Sequence, residues 1–154
     1  MNVQDIPETA VNTQYLITKK EAREGGYYLN PDTEFAKLLI RGLMKNNQRY
    51  GYPACPCRLA SGKKDLDLDI ICPCDYRDAD IEDYGACYCA LYVNEAIASG
   101  QKKAMPVPER RPPRSMRGSA RAVHTIPAGP QPGFPYPVWR CKVCGYLCAR
   151  DEPP

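Results

Sequence analysis

Three Cys-x-Cys pairs lie close together in this chain: Cys55/Cys57, Cys72/Cys74 and Cys87/Cys89. Thiolates are soft ligands and good nucleophiles, so two chemistries are open to them, metal ligation and thiol–disulfide exchange. One tetrahedral zinc, or one cubane cluster, takes four sulfurs. Six is a surplus. Residues two apart on extended backbone share a side, and Pro56 and Pro73 fix φ in the middle of the first two pairs and stiffen them. A Cys-x-x-Cys turn aims two thiolates at one small ion more readily. Three stiff Cys-x-Cys pairs suit a larger object with several metal corners, an iron–sulfur cluster rather than a single zinc. If four thiolates hold the cluster, the remaining two, beside an electron carrier, are economically used as a redox-active disulfide. Two zinc sites sharing ligands, or a cluster with two inert thiols, would use the same six without needing three rigid pairs.

The chain of 154 residues holds nine cysteines and 16 prolines and carries a formal net charge of +3. That length suits one modest domain with an appendage, and the prolines are too many for packed secondary structure throughout. No apolar run approaches the roughly 18 residues that span a bilayer. The N-terminus has neither the basic nor the apolar region of a secretory signal. The expected location is the cytoplasm, with no membrane association. In a reducing cytosol an odd number of cysteines points to ligation or redox chemistry rather than structural disulfides. Basic residues dominate from Gln101 to Arg121, whereas Asp65 to Asp83 is acidic. The cysteine segment is therefore not a basic body built for nucleic acid.

Around the cysteines the pattern is helical. "NPDTEFAKLLIRGLMKNN" predicts a helix with Asn30 as N-cap and Pro31 at its first position, and with Phe35, Leu38, Leu39 and Leu43 on one face. "VNTQYLITKKEAREGG" reads as a shorter helix or helix pair ending at Gly25 and Gly26. Between the first two pairs, "DLDLDII" alternates and predicts an extended segment with Leu66, Leu68 and Ile70 on one side. Asp65, Asp67 and Asp69 have the spacing of a calcium loop, but Ile70 stands where the turn needs Gly and Tyr76 where a bidentate Glu is needed. They read as a solvated acidic face. "DYRDADIEDYGA" predicts a short helix from near Asp78 to Gly85, and "VNEAIASG" another closed by Gly100. Three regions follow: 1–100 with the six cysteines, a Pro/Arg-rich linker over 101–137, and a small cysteine module over 138–154.

"CPCRLASGKKDLDLDIICPC" followed by "CYC" resembles the catalytic subunit of ferredoxin:thioredoxin reductase, with its Cys-Pro-Cys, Cys-Pro-Cys and Cys-His-Cys signature. The resemblance spans about the first hundred residues. It implies a small, mainly α fold around one 4Fe-4S cluster beside an active-site disulfide. Residue by residue, it makes Cys55, Cys72, Cys74 and Cys87 the cluster ligands. Cys57 becomes the exposed thiol that attacks the target disulfide, and Cys89 the thiol that interacts with the cluster. The implied donor is ferredoxin and the implied substrate a thioredoxin-like protein, reduced in two one-electron steps. Thioredoxin lies near about −270 mV and low-potential clusters lie well below, so the direction is downhill. Two features depart from the pattern. Tyr88 stands where the family usually has a histidine that assists proton transfer, and the Cys74-to-Cys87 spacer is longer than usual. Tyr88 could donate a hydrogen bond or a proton; packing against the cluster is the simpler role. The single histidine, His124, falls in the linker and reads as a solvated bystander.

"WRCKVCGY" resembles the first iron-binding knuckle of rubredoxin, with Cys141 and Cys144 spaced to chelate one iron or zinc and Gly145 allowing the tight turn. No second Cys-x-x-Cys follows; Cys148 offers a third thiol and the chain ends at "DEPP". A truncated longer protein is the expectation, over a site completed by another chain or a vestigial one. Two rival functions compete with the reductase. One is an iron–sulfur electron-transfer protein without disulfide chemistry. The other is a zinc-stabilised interaction module whose Arg-rich tail binds nucleic acid.

Overall fold

Val11, Tyr15, Thr18 and Ala22 recur at helical spacing and are the buried face of α1 (Glu8–Glu24), a single helix rather than a pair. The chain breaks from it at Gly25 and at Gly26, whose φ of 81° a side chain would resist. β1 (Tyr28–Leu29) follows, then α2 (Thr33–Tyr50). In this computed structural model, residues 5–117, 138–140 and 147–149 are described. Two compact units divide the chain, Met1–Pro112 and Pro113–Pro154. The first is mainly helical.

The N-cap of α2 is Asp32, not Asn30: its carboxylate accepts from Phe35 N at 3.0 Å, as short polar side chains do at this position. The buried face of α2 also differs from the predicted one. Ala36, Leu39 and Ile40 are buried and Leu43 is half-buried, while Phe35 and Leu38 are exposed. Packing against α1 selects the stripe one position round from the one that large apolar side chains suggest. Arg41 fastens the two helices by donating to Ile6 O at 2.6 Å and pairing with Glu8.

The predicted extended segment at "DLDLDII" is instead two single 3₁₀ turns, Lys64–Leu66 and Leu68–Ile70. Ile70 is buried but Leu66 is exposed. The acidic residues are not all a solvated face, because Asp67 is fully buried. α3 (Arg77–Tyr84) ends at Gly85, φ 81°. β2 (Tyr92–Val93) pairs antiparallel with β1, Tyr28 opposite Val93 and Leu29 opposite Tyr92. The short α4 (Glu95–Ala98) is capped by Asn94, which accepts from Ile97 N at 3.1 Å.

The segment after Gly100, read from sequence as linker, is packed onto the first unit as far as Pro112. Val107 is buried with Ala86, Val93 and Ile97. Arg111 is buried too, because its guanidinium reaches Asp67 Oδ1 at 3.0 Å, both Asp69 oxygens and Leu59 O. Composition hides this: an arginine in a Pro-rich run looks solvated, yet here Arg111 is paired with acidic residues at the 3₁₀ turns. In the second unit, α5 spans Arg114–Arg117, and β3 (Val138–Arg140) pairs antiparallel with β4 (Leu147–Ala149), with Trp139 opposite Cys148.

Candidate active site

The two Cys-Pro-Cys segments are brought together by backbone pairing. Cys55 N donates to Ile70 O at 2.8 Å and Cys72 N to Pro53 O at 2.9 Å, flanking an isolated antiparallel bridge between Ala54 and Ile71. The 3₁₀ turns thus fold the spacer back so that Cys72 returns beside Cys55. Packing on α2 sets the height of the first pair, since a Cβ on Gly42 would sit 2.8 Å from the Pro56 ring. The Cys72–Pro73 peptide is cis, and Arg77 N donates to Cys74 O at 3.1 Å, joining the second pair to the start of α3.

The third pair sits in a tight turn. Ala90 N donates to Cys87 O at 2.7 Å and Ala90 adopts φ 56°, a left-handed conformation that a non-glycine residue holds only with support. Asn30 supplies it: its Nδ2 donates to Ala90 O at 2.9 Å and its backbone N to Leu91 O at 2.9 Å. Sequence reading placed Asn30 at a helix cap and missed this task. Its only signal was an Asn before Pro in a chain with a distant Cys-x-Cys turn, which no local pattern connects.

The three turns converge. Cys55, Cys72, Cys74, Cys87 and Cys89 line one pocket together with Arg58, Arg77, Tyr88 and Tyr92. Cys57 is the exposed member of the six, and its thiol interacts with Cys55 and Cys89. Cys87 Sγ lies 3.8 Å from Cys89 Sγ. Two sulfurs receive N–H donors: Tyr92 N reaches Cys87 Sγ at 3.3 Å, and Arg58 Nη1 reaches Cys74 Sγ at 3.1 Å. The hydrogen bonds from Cys55 and Cys89 draw the Cys57 thiol far below the ordinary thiol range, whereas hydrogen bonds with Cys55, Cys57 and Cys87, together with burial, push Cys89 up. Burial pushes Cys72 and Cys74 up, against which the Arg58 charge works at Cys74. Among the described residues, no three Cys, His, Asp or Glu side chains are gathered to hold a single metal ion. The thiols surround a space rather than a point.

A family model, ferredoxin thioredoxin reductase catalytic beta chain, matches residues 5–109. The chain belongs to this family. Ferredoxin thioredoxin reductases are ferredoxin-dependent disulfide oxidoreductases, and their catalytic chains bind an iron–sulfur cluster. No curated protein matches the sequence. The thiol-lined pocket fits such a group, because its donors are all soft sulfur and some already take backbone and guanidinium hydrogen bonds. The match includes every one of the three Cys-x-Cys pairs and ends at Glu109.

Tyr88 lines the pocket and its ring lies under the Arg58 guanidinium, 4.4 Å from centroid to Cζ. Of the tyrosines around the cysteines, Tyr92 also lines the pocket, Tyr52 donates to Asp67 at 2.7 Å and Tyr76 to Asp69 at 2.8 Å. Cys141, Cys144 and His124 lie outside the described residues, and of Cys148 only the backbone pairing in β4 is described. No helix among the described residues is long and apolar enough to cross a membrane.

Proposed function

We propose that Cys55, Cys72, Cys74 and Cys87 hold a 4Fe-4S cluster and that Cys57 and Cys89 are a redox-active pair reducing a thioredoxin-like disulfide with electrons from ferredoxin. One observation carries this reading: five of the six thiols line a single pocket, and the sixth, Cys57, is exposed beside it. An attacking thiol must be reachable by a protein substrate, while ligands and a resolving thiol need not be.

Cys57 attacks one sulfur of the substrate disulfide, forming a mixed disulfide and releasing the other substrate sulfur as a thiolate that takes a proton. Cys89 then attacks Cys57 Sγ, which releases the second substrate thiol and leaves a Cys57–Cys89 disulfide. Two electrons, arriving singly from ferredoxin, reopen it. When bound, the cluster supplies those electrons one at a time and lets the half-reduced pair persist. Tyr88 packs on Arg58 and walls the pocket. A reducing cytoplasm is the setting that keeps such thiols and such a cluster intact.

The test uses full-length protein prepared without oxygen. Iron and acid-labile sulfide should reach four of each per chain, and reduction should expose two further thiols in the first unit. Cys57→Ser should keep iron and sulfide yet reduce no redoxin disulfide, and Cys89→Ser should accumulate the Cys57 mixed disulfide on a non-reducing gel. Undiminished disulfide reduction by Cys57→Ser, or colourless protein with stoichiometric zinc, would sink the reading.

A further inference from the structure

Arg58 follows the first Cys-Pro-Cys directly, and its side chain is wholly buried. A buried guanidinium is tolerated only with partners on every edge. Nη1 donates to Cys74 Sγ at 3.1 Å, and Nε donates to Glu109 Oε1 at 2.9 Å. Nη2 faces Asp80 Oδ2 at 3.7 Å, an ion pair without a hydrogen bond, and both of those atoms are buried. Its Cζ lies over the rings of Tyr76 and Tyr88, 4.9 and 4.4 Å from the two centroids. Toward the pocket, its hydrogen bond goes to the sulfur of Cys74.

Glu109 comes from the far end of the unit, and its neighbours hold it in place. Arg110 donates to Asp80 Oδ1 at 2.6 Å and pairs with Asp83, and Arg111 is sunk among Asp67, Asp69 and Leu59 O. Arg111 N also donates to Glu109 Oε1 at 2.9 Å. Arg110 and Arg111 lie just past the residues matched by the family model.

We propose that Arg58 is a positioning residue that raises the reduction potential of the iron–sulfur group through the Cys74 sulfur, and that the strap Glu109–Arg110–Arg111 holds it in register. The proposal rests on Cys74 being a cluster ligand. One-electron reduction adds negative charge to a group already ringed by thiolates. A guanidinium N–H aimed at a ligand sulfur stabilises that added charge more than it stabilises the oxidised form, and more strongly where water is excluded. Glu109 makes a test of sign available. As a bare negative charge it would lower the potential, so removing it would raise the potential. As the residue that keeps Arg58 on Cys74, its removal lowers the potential.

The experiment is an anaerobic spectroelectrochemical titration of the full chain, with iron and sulfide measured on each sample. Arg58→Gln is expected to reduce the reduced-to-oxidised ratio at fixed ambient potential about tenfold, equivalent to about 59 mV for one electron. Arg58→Lys should recover part of that shift, because the charge stays while the fork is lost. Glu109→Ala should shift the potential the same way by less. An unchanged potential in Arg58→Gln with full iron and sulfide would make Arg58 merely structural and overturn the proposal. An upward shift in Glu109→Ala would overturn the role of the strap. If Arg58→Gln does not fold, Arg58→Lys and Glu109→Ala carry the same comparison. Cys74→Ala tests the underlying ligand assignment separately: wild-type iron, sulfide and spectrum in that variant would remove Cys74 from the ligand set without reference to any potential.

Discussion

Asp67 is a single carboxylate around which much of the cysteine spacer is folded. It accepts from Tyr52 Oη at 2.7 Å, from Ser61 N at 2.6 Å and from Arg111 Nη2 at 3.0 Å, and is itself out of contact with solvent. Burial opposes its charge, but the hydrogen bonds from Tyr52, Arg111 and Ser61 prevail and hold its carboxyl below the usual carboxylate value. Asp67→Ala is expected to cost about 3–5 kcal/mol in urea unfolding, the scale for removing one partner of a buried pair. Because the folded value lies below the unfolded one near about 3.9, the stabilisation is complete above about pH 4 and drains away as pH falls through the lowered value. The stability gap between the wild type and Asp67→Asn should therefore narrow on acidification; a constant gap would contradict the account. At Tyr88 the ring and not the hydroxyl is what touches Arg58. Tyr88→Phe should keep disulfide reduction within about threefold of wild type, the range of a minor binding effect, whereas loss of most turnover would show that the hydroxyl moves a proton.

At the scale of elements, α2 acts as a platform for the first Cys-Pro-Cys. Gly42 is what lets Pro56 sit down on it. Alanine there gains up to about 1 kcal/mol of helix propensity but overpacks the contact, a cost of about 1–3 kcal/mol. The expected result is a stable helix with the cysteine loop displaced, read as faster iron loss on warming than in the wild type. The helices themselves were legible in the sequence because they depend on local signals: Gly85 and Gly100 close α3 and α4 as predicted. What was not legible depends on partners far along the chain. Phe35 and Leu38 have the chemistry of a core face, yet α1 covers the neighbouring stripe instead. Asn30 resembles a cap, yet it clasps a turn sixty residues away. The alternation of "DLDLDII" mimics a strand, but Asp67 must turn inward to meet Tyr52 and Arg111, and 3₁₀ turns allow that.

For the whole molecule, the first unit ends at Pro112 rather than near Gly100. A chain of residues 1–112 should retain iron and a cooperative thermal transition. One of residues 1–100 should lose both, since it strips the buried Arg58, Asp67 and Asp80 of partners. Equal iron retention by the two would show that the strap is dispensable. The gathering of the cysteines was readable because it is written in residue type and short spacing. The strap was not, because its role is written in pairs 27 to 52 residues apart, such as Arg110 with Asp83 and Arg111 with Leu59. That separation also orders events in time. During synthesis from the N-terminus, every cysteine of the three pairs is joined to the chain before Glu109, Arg110 and Arg111. Arg58 therefore lacks its clasp until the last residues of the unit are made. The unit closes from its C-terminal end, so the direction of translation sets the order in which the cysteine loops and their clasp become available.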